Sequence, residues 1–308
     1  MEPELVSRAR GALLGLVAGN QLGVPTEHLG TPEAIRTQFP NGLTNLSPPP
    51  KNSPYDDDAA MALLFGESLL GTKGFDAVDL ARRWVKWMKV DGRGIGDTTK
   101  RALTLVDRGK EPFEAGRLAY QENPRFSAGN GSVMRCIPAA LRYHSDVDRL
   151  IRVSTQQAAI THADERCTWG AAAVNLAARE LLHGNIYFID EVLHRIGDRA
   201  PRPLRDAIHR VPRERETDLR ITGPEAGYVV HCVEIAFWFV THDWSLEDAL
   251  IFLAQAGGDT DTNAAVAGAL LGARYGETAI PPRWLEQLVG ARGIGELAEN
   301  LVRLTAHA

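Results

Sequence analysis

The sequence predicts an all-α protein, and three observations support this fold class. Apolar residues recur at the three- and four-residue spacing of an amphipathic helix through most of the 308 residues. Alternating apolar and polar residues bounded by turns, the pattern typical of strands, are essentially missing. Glycine and alanine crowd several helical segments, although each interior glycine costs a helix about 1 kcal/mol relative to alanine. Their repeated use indicates either close helix–helix packing or clearance for a ligand, and both interpretations stay open at this point.

The predicted helices follow one another along almost the whole chain. The first covers residues 5–20, with one apolar face made of Leu5, Ala9, Leu13, Leu16 and Val17. The next two cover residues 58–70 and 75–90, and the second of these carries Trp84 and Trp87 in its apolar stripe. The same spacing predicts further helices over residues 131–143, 148–160, 166–183, 225–241, 245–256, 262–275 and 283–291.

Two segments break the helical pattern. Residues 39–55 are rich in proline, asparagine and serine, which predicts a loop. Residues 196–224 are rich in arginine, proline and glycine, which predicts a long and partly mobile connection. Neither segment separates two plausible hydrophobic cores, so residues 1–308 are expected to form a single domain.

Composition narrows the class of function. The net charge is −5, from 34 basic and 39 acidic residues, so global electrostatics does not indicate nucleic-acid or membrane binding. No apolar run approaches the length of a membrane span, and the acidic N-terminus does not resemble a signal peptide. The three cysteines, Cys136, Cys167 and Cys232, form no C-x-x-C pair. They are expected to be small core residues of a protein in the reducing cytoplasm.

The most informative local sequence is Gly257-Gly258-Asp259-Thr260-Asp261-Thr262, which precedes an apolar helical segment. The two glycines permit a sharp turn into that helix. One aspartate at a helix start is explained by ordinary capping, which contributes about 1 kcal/mol. Two aspartates and two threonines exceed what capping requires, so metal ligation by Asp259, Asp261 and Thr262 is favoured.

A second acidic run, Asp56-Asp57-Asp58, also precedes a helix. Interaction with the helix dipole, at roughly 0.3–1 kcal/mol per charge, explains it about as well as metal ligation. Like charges about 4 Å apart repel by roughly 4 kcal/mol at an effective dielectric near 20. A fold that brings both runs together therefore needs a cation between them, and oxygen ligands suit Mg²⁺ or Mn²⁺.

Two glycine-rich turns are candidate ligand contacts. The turn Gly129-Asn130-Gly131-Ser132 opens a predicted helix, and its backbone N–H groups could bind an anion. The segment Gly92–Gly96 is a second such entry and carries one basic side chain, Arg93. A plain helix start explains either turn equally well. His162 is a candidate phosphate or ribose contact, although a lone histidine after an apolar helix is more often a packing residue.

Taken together, the chain resembles the ADP-ribosylglycohydrolase family over nearly its whole length. The resemblance begins at Gly11–Gly15 and Gly23–Glu27 and continues through the acidic run that leads to Met61. The later matching segments are Gly92–Thr99, Gly129–Arg135, Thr161-His162, Gly257–Thr262 and Gly276–Trp284. The resemblance implies a compact, orthogonally packed, multi-helix bundle of the ADP-ribosylglycohydrolase type.

The resemblance also implies a centre of two Mg²⁺ or Mn²⁺ ions. Its expected ligands are Asp56, Asp57, Asp58, Asp259, Asp261 and Thr262. The expected ADP-ribose contacts are Gly129, Asn130, Gly131, Ser132 and His162, together with Tyr228, which either stacks on the ligand or is a buried aromatic. The implied partner is an ADP-ribosylated protein or another ADP-ribose conjugate.

The implied reaction is hydrolysis of an N- or O-glycosidic bond of ADP-ribose. Cleavage at the anomeric carbon develops oxocarbenium character, and paired cations can activate a water for attack. The expected catalytic residues are Asp57, Asp58, Asp261 and Glu27; the last aligns with a family glutamate and is an acid/base candidate.

Three positions depart from the family pattern. Asp56 stands where the family usually has serine or threonine, Ala59 where it usually has threonine, and Asn20 where many members have aspartate. Two alternatives to an enzyme follow: a catalytically weak ADP-ribose-binding module, or a structural protein that reuses the fold. The repelling aspartates argue against the structural protein, because a scaffold gains nothing from them.

Overall fold

The computed structural model describes residues 2–304. Within that range the fold consists of sixteen α-helices and contains no β-strand, which confirms the predicted all-α class. The first eight helices are α1 (Pro3–Gly23), α2 (Pro32–Gln38), α3 (Asp57–Gly71), α4 (Ala77–Val90), α5 (Asp97–Asp107), α6 (Pro112–Glu122), α7 (Ile137–Arg142) and α8 (Val147–Ala159). The other eight are α9 (Glu165–Leu182), α10 (Phe188–Ile196), α11 (Arg202–Arg210), α12 (Val229–Thr241), α13 (Leu246–Gln255), α14 (Thr260–Tyr275), α15 (Pro282–Gln287) and α16 (Ala291–Arg303).

The most extensive helix–helix contact within residues 2–304 joins α1 to α14. A β-carbon placed on Gly15 would lie 2.3 Å from the carbonyl oxygen of Gly268, and one on Gly11 would lie 2.5 Å from that of Gly272. At the end of α1, a β-carbon on Gly23 would lie 2.4 Å from the Cα of Asp261. Real side chains cannot occupy these distances, so the glycines of α1 serve close helix–helix packing.

Two buried threonines join the end of α1 to the start of α14. Thr26 Oγ1 donates to the carbonyl of Ala254 at 2.6 Å and lies 3.0 Å from Thr260 Oγ1. Thr260 Oγ1 in turn donates to the carbonyl of Gly23 at 2.9 Å. Hydrogen bonds that satisfy buried polar groups hold a backbone in one arrangement. The residues next to these threonines, Glu27 and Asp261, are thereby held on the same side of the molecule.

The interpretation of residues 196–224 as a long mobile connection is wrong. This segment contains α11, whose Leu204, Ala207 and Ile208 are fully buried, and three short 3₁₀ turns. Its arginines lie mostly on the outer face, and Arg210 pairs with the buried Glu234. Proline misled the prediction: Pro203 stands in the first turn of α11, where a missing N–H costs nothing.

The predicted helix over residues 131–143 is also corrected. The chain forms a 3₁₀ turn at Asn130–Ser132 and begins α7 only at Ile137. An isolated antiparallel bridge between Gly129 and Tyr228 holds this turn, with Asn130 N donating to the carbonyl of Gly227 at 3.0 Å. A tertiary contact therefore replaces the local helical hydrogen bonds here.

Several other expectations agree with the structure. Residues 39–55 contain no helix and lead directly to α3. The three cysteines are free and buried, as expected for core residues. No helix in residues 2–304 is long and apolar enough to cross a bilayer. That residues 1–308 form one domain stays a prediction.

Candidate active site

The two acidic runs, far apart in sequence, meet beside one cavity. Asp56 is the N-cap of α3, and its carboxylate accepts a hydrogen bond from Asp57 N at 3.1 Å. Asp259 is the N-cap of α14. Carboxylate oxygens of Glu27, Asp56 and Asp261 lie within 4.8 Å of one another. We call this side of the cavity the acidic wall, which consists of Glu27, Asp56, Asp57, Asp58, Asp259, Asp261 and Thr262.

Capping explains only part of the acidic wall. Asp56 does cap α3, as the dipole interpretation expects. Asp259, in contrast, accepts a hydrogen bond from the side chain of Asn130, whose Nδ2 lies 2.8 Å from Asp259 Oδ2. Asp58 Oδ1 and Asp261 Oδ1 are buried and have no hydrogen-bond partner within residues 2–304. Buried carboxylate oxygens without partners are costly, so a group that satisfies them is required.

The pKa values of the acidic wall also show that nearby positive charge does not balance its carboxylates. Burial, together with the charges of Asp56, Glu27 and Asp259, raises the pKa of Asp57 to about 8. Burial and the neighbouring carboxylates also hold the pKa values of Asp58 and Asp261 well above their usual range. A divalent cation would reverse this by supplying positive charge to the cluster. The carboxylate and hydroxyl donor set, with its unpartnered oxygens, fits such a hard cation.

Glu27 lies at the solvent-facing edge of the acidic wall. It belongs to a short 3₁₀ turn, Glu27–Leu29, directly after Thr26. Desolvation of its carboxylate and the charges of Asp259 and Asp56 raise its pKa to about 7. A carboxylate with this pKa can exchange a proton near neutral pH.

The glycine-rich loop before α5 covers the first acidic run. Gly94 has φ +77°, and a β-carbon there would lie 2.1 Å from Asp56 Oδ1 and 2.6 Å from Asp57 Oδ1. Only glycine allows the loop to approach these carboxylates so closely. The neighbouring Arg93 extends Nε to 3.7 Å from Asp56 Oδ1, so it partly compensates the extra charge at position 56.

A second side of the cavity adjoins the acidic wall through Asn130, whose Nδ2 donates to Asp259. It consists of Gly129, Asn130, Gly131 and His162, which we call the donor wall. A β-carbon on Gly131 would lie 2.8 Å from His162 Cε1 and 3.1 Å from Nε2, so the imidazole edge faces this turn closely. The cavity between the two walls has a volume of about 430 Å³ and is also lined by the start of α5 and by Phe126.

Most of the predicted site residues line this cavity, and four do not. Asp57, Asp259, Asp261, Thr262, Glu27, Gly129, Asn130, Gly131 and His162 line it. Asp58 and Asp56 are buried behind them. Ser132 is fully buried and donates to the carbonyl of Cys167 at 3.1 Å. Tyr228 packs against Arg166 and His231, with ring-to-ring centroids 5.0 Å apart in the second contact. The roles of Ser132 and Tyr228 as ligand contacts stay predictions.

Phe126 is a cavity residue that the sequence reasoning missed. Its side chain is 76% exposed, an unusual state for a phenylalanine, and it lies on the rim of the cavity beside Asn123. An exposed aromatic ring at a cavity mouth is a platform for a flat ligand group. Its position three residues before Gly129 was the only signal in the sequence that it lies near the site. The exposure of its ring depends on the fold and could not be predicted.

Comparison with known proteins identifies the family of this chain. The sequence profile of the ADP-ribosylglycohydrolase family matches residues 1–308. An ADP-ribosylarginine hydrolase Tri1 of Pseudomonas putida (strain GB-1) is 30% identical over 97% of this chain and 78% of that protein. An ADP-ribosyl-[dinitrogen reductase] glycohydrolase of Rhodospirillum rubrum is 30% identical over 93% and 92%.

Solved structures agree as well. An ADP-ribosylglycohydrolase-related protein complex superimposes with a TM-score of 0.80 at 29% identity, and covers 98% of this chain and 99% of its own. The likeness therefore extends over nearly the whole fold. The chain therefore belongs to the ADP-ribosylglycohydrolase family.

Proposed function

We propose that this protein hydrolyses the glycosidic bond between ADP-ribose and an acceptor, either a protein side chain or a small molecule. Membership of the family supports hydrolysis of ADP-ribose linkages in general. The observation that carries the proposal is the pairing of two unlike walls around one cavity. Asp261, whose buried Oδ1 has no partner within residues 2–304, lines the same cavity of about 430 Å³ as Gly131 and His162.

The proposed cofactor is a pair of Mg²⁺ or Mn²⁺ ions held by the acidic wall. The proposed ligands are Asp56, Asp57, Asp58, Asp259, Asp261 and Thr262. When bound, such ions supply positive charge, orient hydroxyl groups of the ribose and make water more acidic. Asn130 orients Asp259 through the 2.8 Å hydrogen bond, and this kind of support typically changes metal affinity 10- to 100-fold.

The proposed catalytic residues are Asp57, Asp58, Asp261 and Glu27, which all carry carboxylates. As the bond at the anomeric carbon breaks, the ribose gains oxocarbenium character, which nearby carboxylates such as Asp57 and Asp261 stabilise. Glu27 accepts a proton from the attacking water, because its carboxylate lies at the solvent-facing edge of the acidic wall, close to those of Asp56 and Asp261. Asp58, which is buried and does not line the cavity, adds its negative charge to those of Asp57 and Asp261.

The donor wall is proposed to bind the diphosphate. Gly129, Gly131 and His162 line the cavity, and the backbone N–H groups of the two glycines and the His162 imidazole are the proposed donors, because the N–H of Asn130 already donates to the carbonyl of Gly227. Ser132 and Tyr228 then hold this turn in place, through the hydrogen bond to Cys167 and the bridge to Gly129. Phe126 stacks on the base at the rim of the cavity.

The partner is an ADP-ribosylated protein or conjugate, and we propose that it is met in the cytoplasm, as the buried free cysteines support. The relatives named after ADP-ribosylarginine and dinitrogen reductase make ADP-ribosylarginine the first conjugate to test.

The test is release of ADP-ribose from defined arginine, serine and small-molecule conjugates, with Mg²⁺, with Mn²⁺ and with a chelator. Release that the chelator abolishes is the expected result. The matched variant is Glu27→Gln, which should lower turnover about 100-fold while ADP-ribose binding changes less than about twofold. Binding of ADP-ribose without release from any conjugate would favour the binding module. Thermal stability that responds to neither metal nor ADP-ribose would favour the structural protein.

A further inference from the structure

A buried arginine lies behind the donor wall. Arg135 is fully buried, and its guanidinium carbon lies 4.2 Å from the centroid of the Trp84 ring. Its Nη2 donates to Thr161 Oγ1 at 2.6 Å, and its Nε donates to Gln157 Oε1 at 3.3 Å. Desolvation lowers the pKa of Arg135 to about 9, which still leaves the side chain charged at neutral pH. The core therefore holds a charged donor whose shortest hydrogen bond goes to Thr161.

The donor and acceptor roles in this group follow from its chemistry. A guanidinium has only donors, so Thr161 Oγ1 must accept from Arg135. The other hydrogen-bond partner of this hydroxyl within residues 2–304 is His162 Nδ1, at 2.8 Å. Thr161 is fully buried, so a hydroxyl hydrogen that failed to reach His162 would be left without an acceptor. The hydroxyl therefore donates to Nδ1, and Nδ1 must be the unprotonated nitrogen.

An acceptor Nδ1 determines the state of the whole imidazole. A neutral histidine with an unprotonated Nδ1 carries its proton on Nε2. His162 is almost fully buried, and burial together with the charge of Arg135 lowers its pKa to about 3. The edge that carries Nε2 is the one that faces the turn at Gly131 and lines the cavity. The proton thus lies on the nitrogen nearest the ligand-binding side.

We propose that Arg135 and Thr161 are positioning residues that hold His162 as a neutral imidazole with its proton on Nε2, donating to an anionic oxygen of the ligand. This inference rests on the proposed function, because the diphosphate of ADP-ribose supplies that oxygen. A neutral, fixed donor gives up no proton to the phosphate and needs no reorientation when the ligand arrives. It also means that His162 takes no part in acid–base catalysis.

The test is a nitrogen NMR spectrum of the full chain with ¹⁵N-labelled histidine, recorded with saturating Mg²⁺ at neutral pH. His162 signals are identified by their loss in His162→Asn. In the wild type, Nε2 is expected to resonate as a protonated nitrogen and Nδ1 as an unprotonated one. A proton on Nδ1 would overturn the inference, and this measurement needs no positioning variant to fold.

Two variants then test the positioning residues. Thr161→Val removes the hydroxyl at nearly constant volume, and should allow both tautomers and weaken ADP-ribose binding about tenfold. Thr161→Ser retains the hydroxyl and should restore the single tautomer and the affinity. Arg135→Met, which removes the donor to Thr161, should also allow both tautomers.

The outcomes separate the positioning role from the proposed function. An unchanged tautomer and an unchanged affinity in Thr161→Val would overturn the positioning role, even if the protein is less stable. A wild type that shows the expected tautomer but binds no ADP-ribose would overturn the proposed function instead. The thermal stability of each variant, measured alongside, identifies any loss of affinity that comes from unfolding.

Discussion

The acidic wall and the donor wall face the same cavity but are completed in different ways. Behind the donor wall, the protein itself satisfies the polar groups: Ser132 donates to Cys167, and Thr161 lies between Arg135 and His162. In the acidic wall, oxygens of Asp58 and Asp261 have no partner in residues 2–304. Hydrogen bonds within the fold support the donor wall, whereas the acidic wall keeps buried oxygens that fit a cation. The comparison teaches that unsatisfied groups mark the place where a cofactor belongs.

The largest expected effect comes from removing a carboxylate of the acidic wall. Asp261→Asn should lower turnover on the order of 100-fold or more and abolish the rise in thermal stability caused by Mg²⁺ or Mn²⁺. Without metal, the same variant should unfold at the wild-type temperature or above it, because it removes a buried charge that has no partner. Calorimetric unfolding with and without metal measures both expected changes in the unfolding temperature. A metal-free variant much less stable than the wild type would contradict the account of this wall.

The next effect concerns the helix contact that supports the acidic wall. Gly23→Ala would place a methyl group 2.4 Å from the Cα of Asp261 and should lower the free energy of unfolding by about 2 kcal/mol. It should also weaken metal binding, because it displaces the start of α14. The matched control is Gly293→Ala in α16, where a β-carbon meets no atom within 4 Å in the described chain. The free energy of unfolding of that variant should rise by up to about 1 kcal/mol, and its metal affinity should not change. Urea unfolding measures the first quantity and metal titration the second.

A smaller effect is expected at the rim between the walls. Phe126→Ala should weaken ADP-ribose binding about tenfold, since stacking on an aromatic ring contributes about 1–3 kcal/mol per base. Stability should hardly change, because the ring is already exposed. Tyr187→Ala is the control, since Tyr187 is 82% exposed and does not line the cavity. Equal affinity of both variants for ADP-ribose, measured by calorimetric titration, would show that Phe126 is not a stacking platform.

The smallest effect tests the unusual first acid. Asp56→Ser keeps a side chain that caps α3 but removes one negative charge, so it should weaken metal binding roughly fivefold at nearly constant stability. The partial compensation by Arg93 at 3.7 Å is the reason for expecting a small change. Metal titration of both proteins is the measurement. An unaltered metal affinity would show that Asp56 caps α3 and does not bind the metal.

The sequence predicted what depends on short, local patterns. The helical class, the loop at residues 39–55 and the turn at Gly257-Gly258 could be read directly, because spacing and glycine constrain the backbone locally. The resemblance of both acidic runs to one family predicted that they share a site, and in the structure they meet beside one cavity. Local pattern failed at residues 196–224, where prolines in helix first turns looked like loop signals.

What could not be predicted depends on tertiary contacts. The exposure of Phe126, the inward direction of Ser132 and the partners of Tyr228 are properties of neighbours far away in sequence. The same holds for Thr26 and Thr260, whose hydrogen bonds join α1 to α14. Residue types name the chemistry that a site can use, but packing decides which of those groups face the ligand.

The contact between α1 and α14 also has a consequence for biosynthesis. The partners Gly11 and Gly272 are far apart in sequence, so a ribosome must make the chain as far as α14 before they can meet. Until then α1 has no partner for its glycine face, and Asp57 and Asp58 have no Asp261 beside them. The acidic wall therefore forms only after the ribosome has made α14.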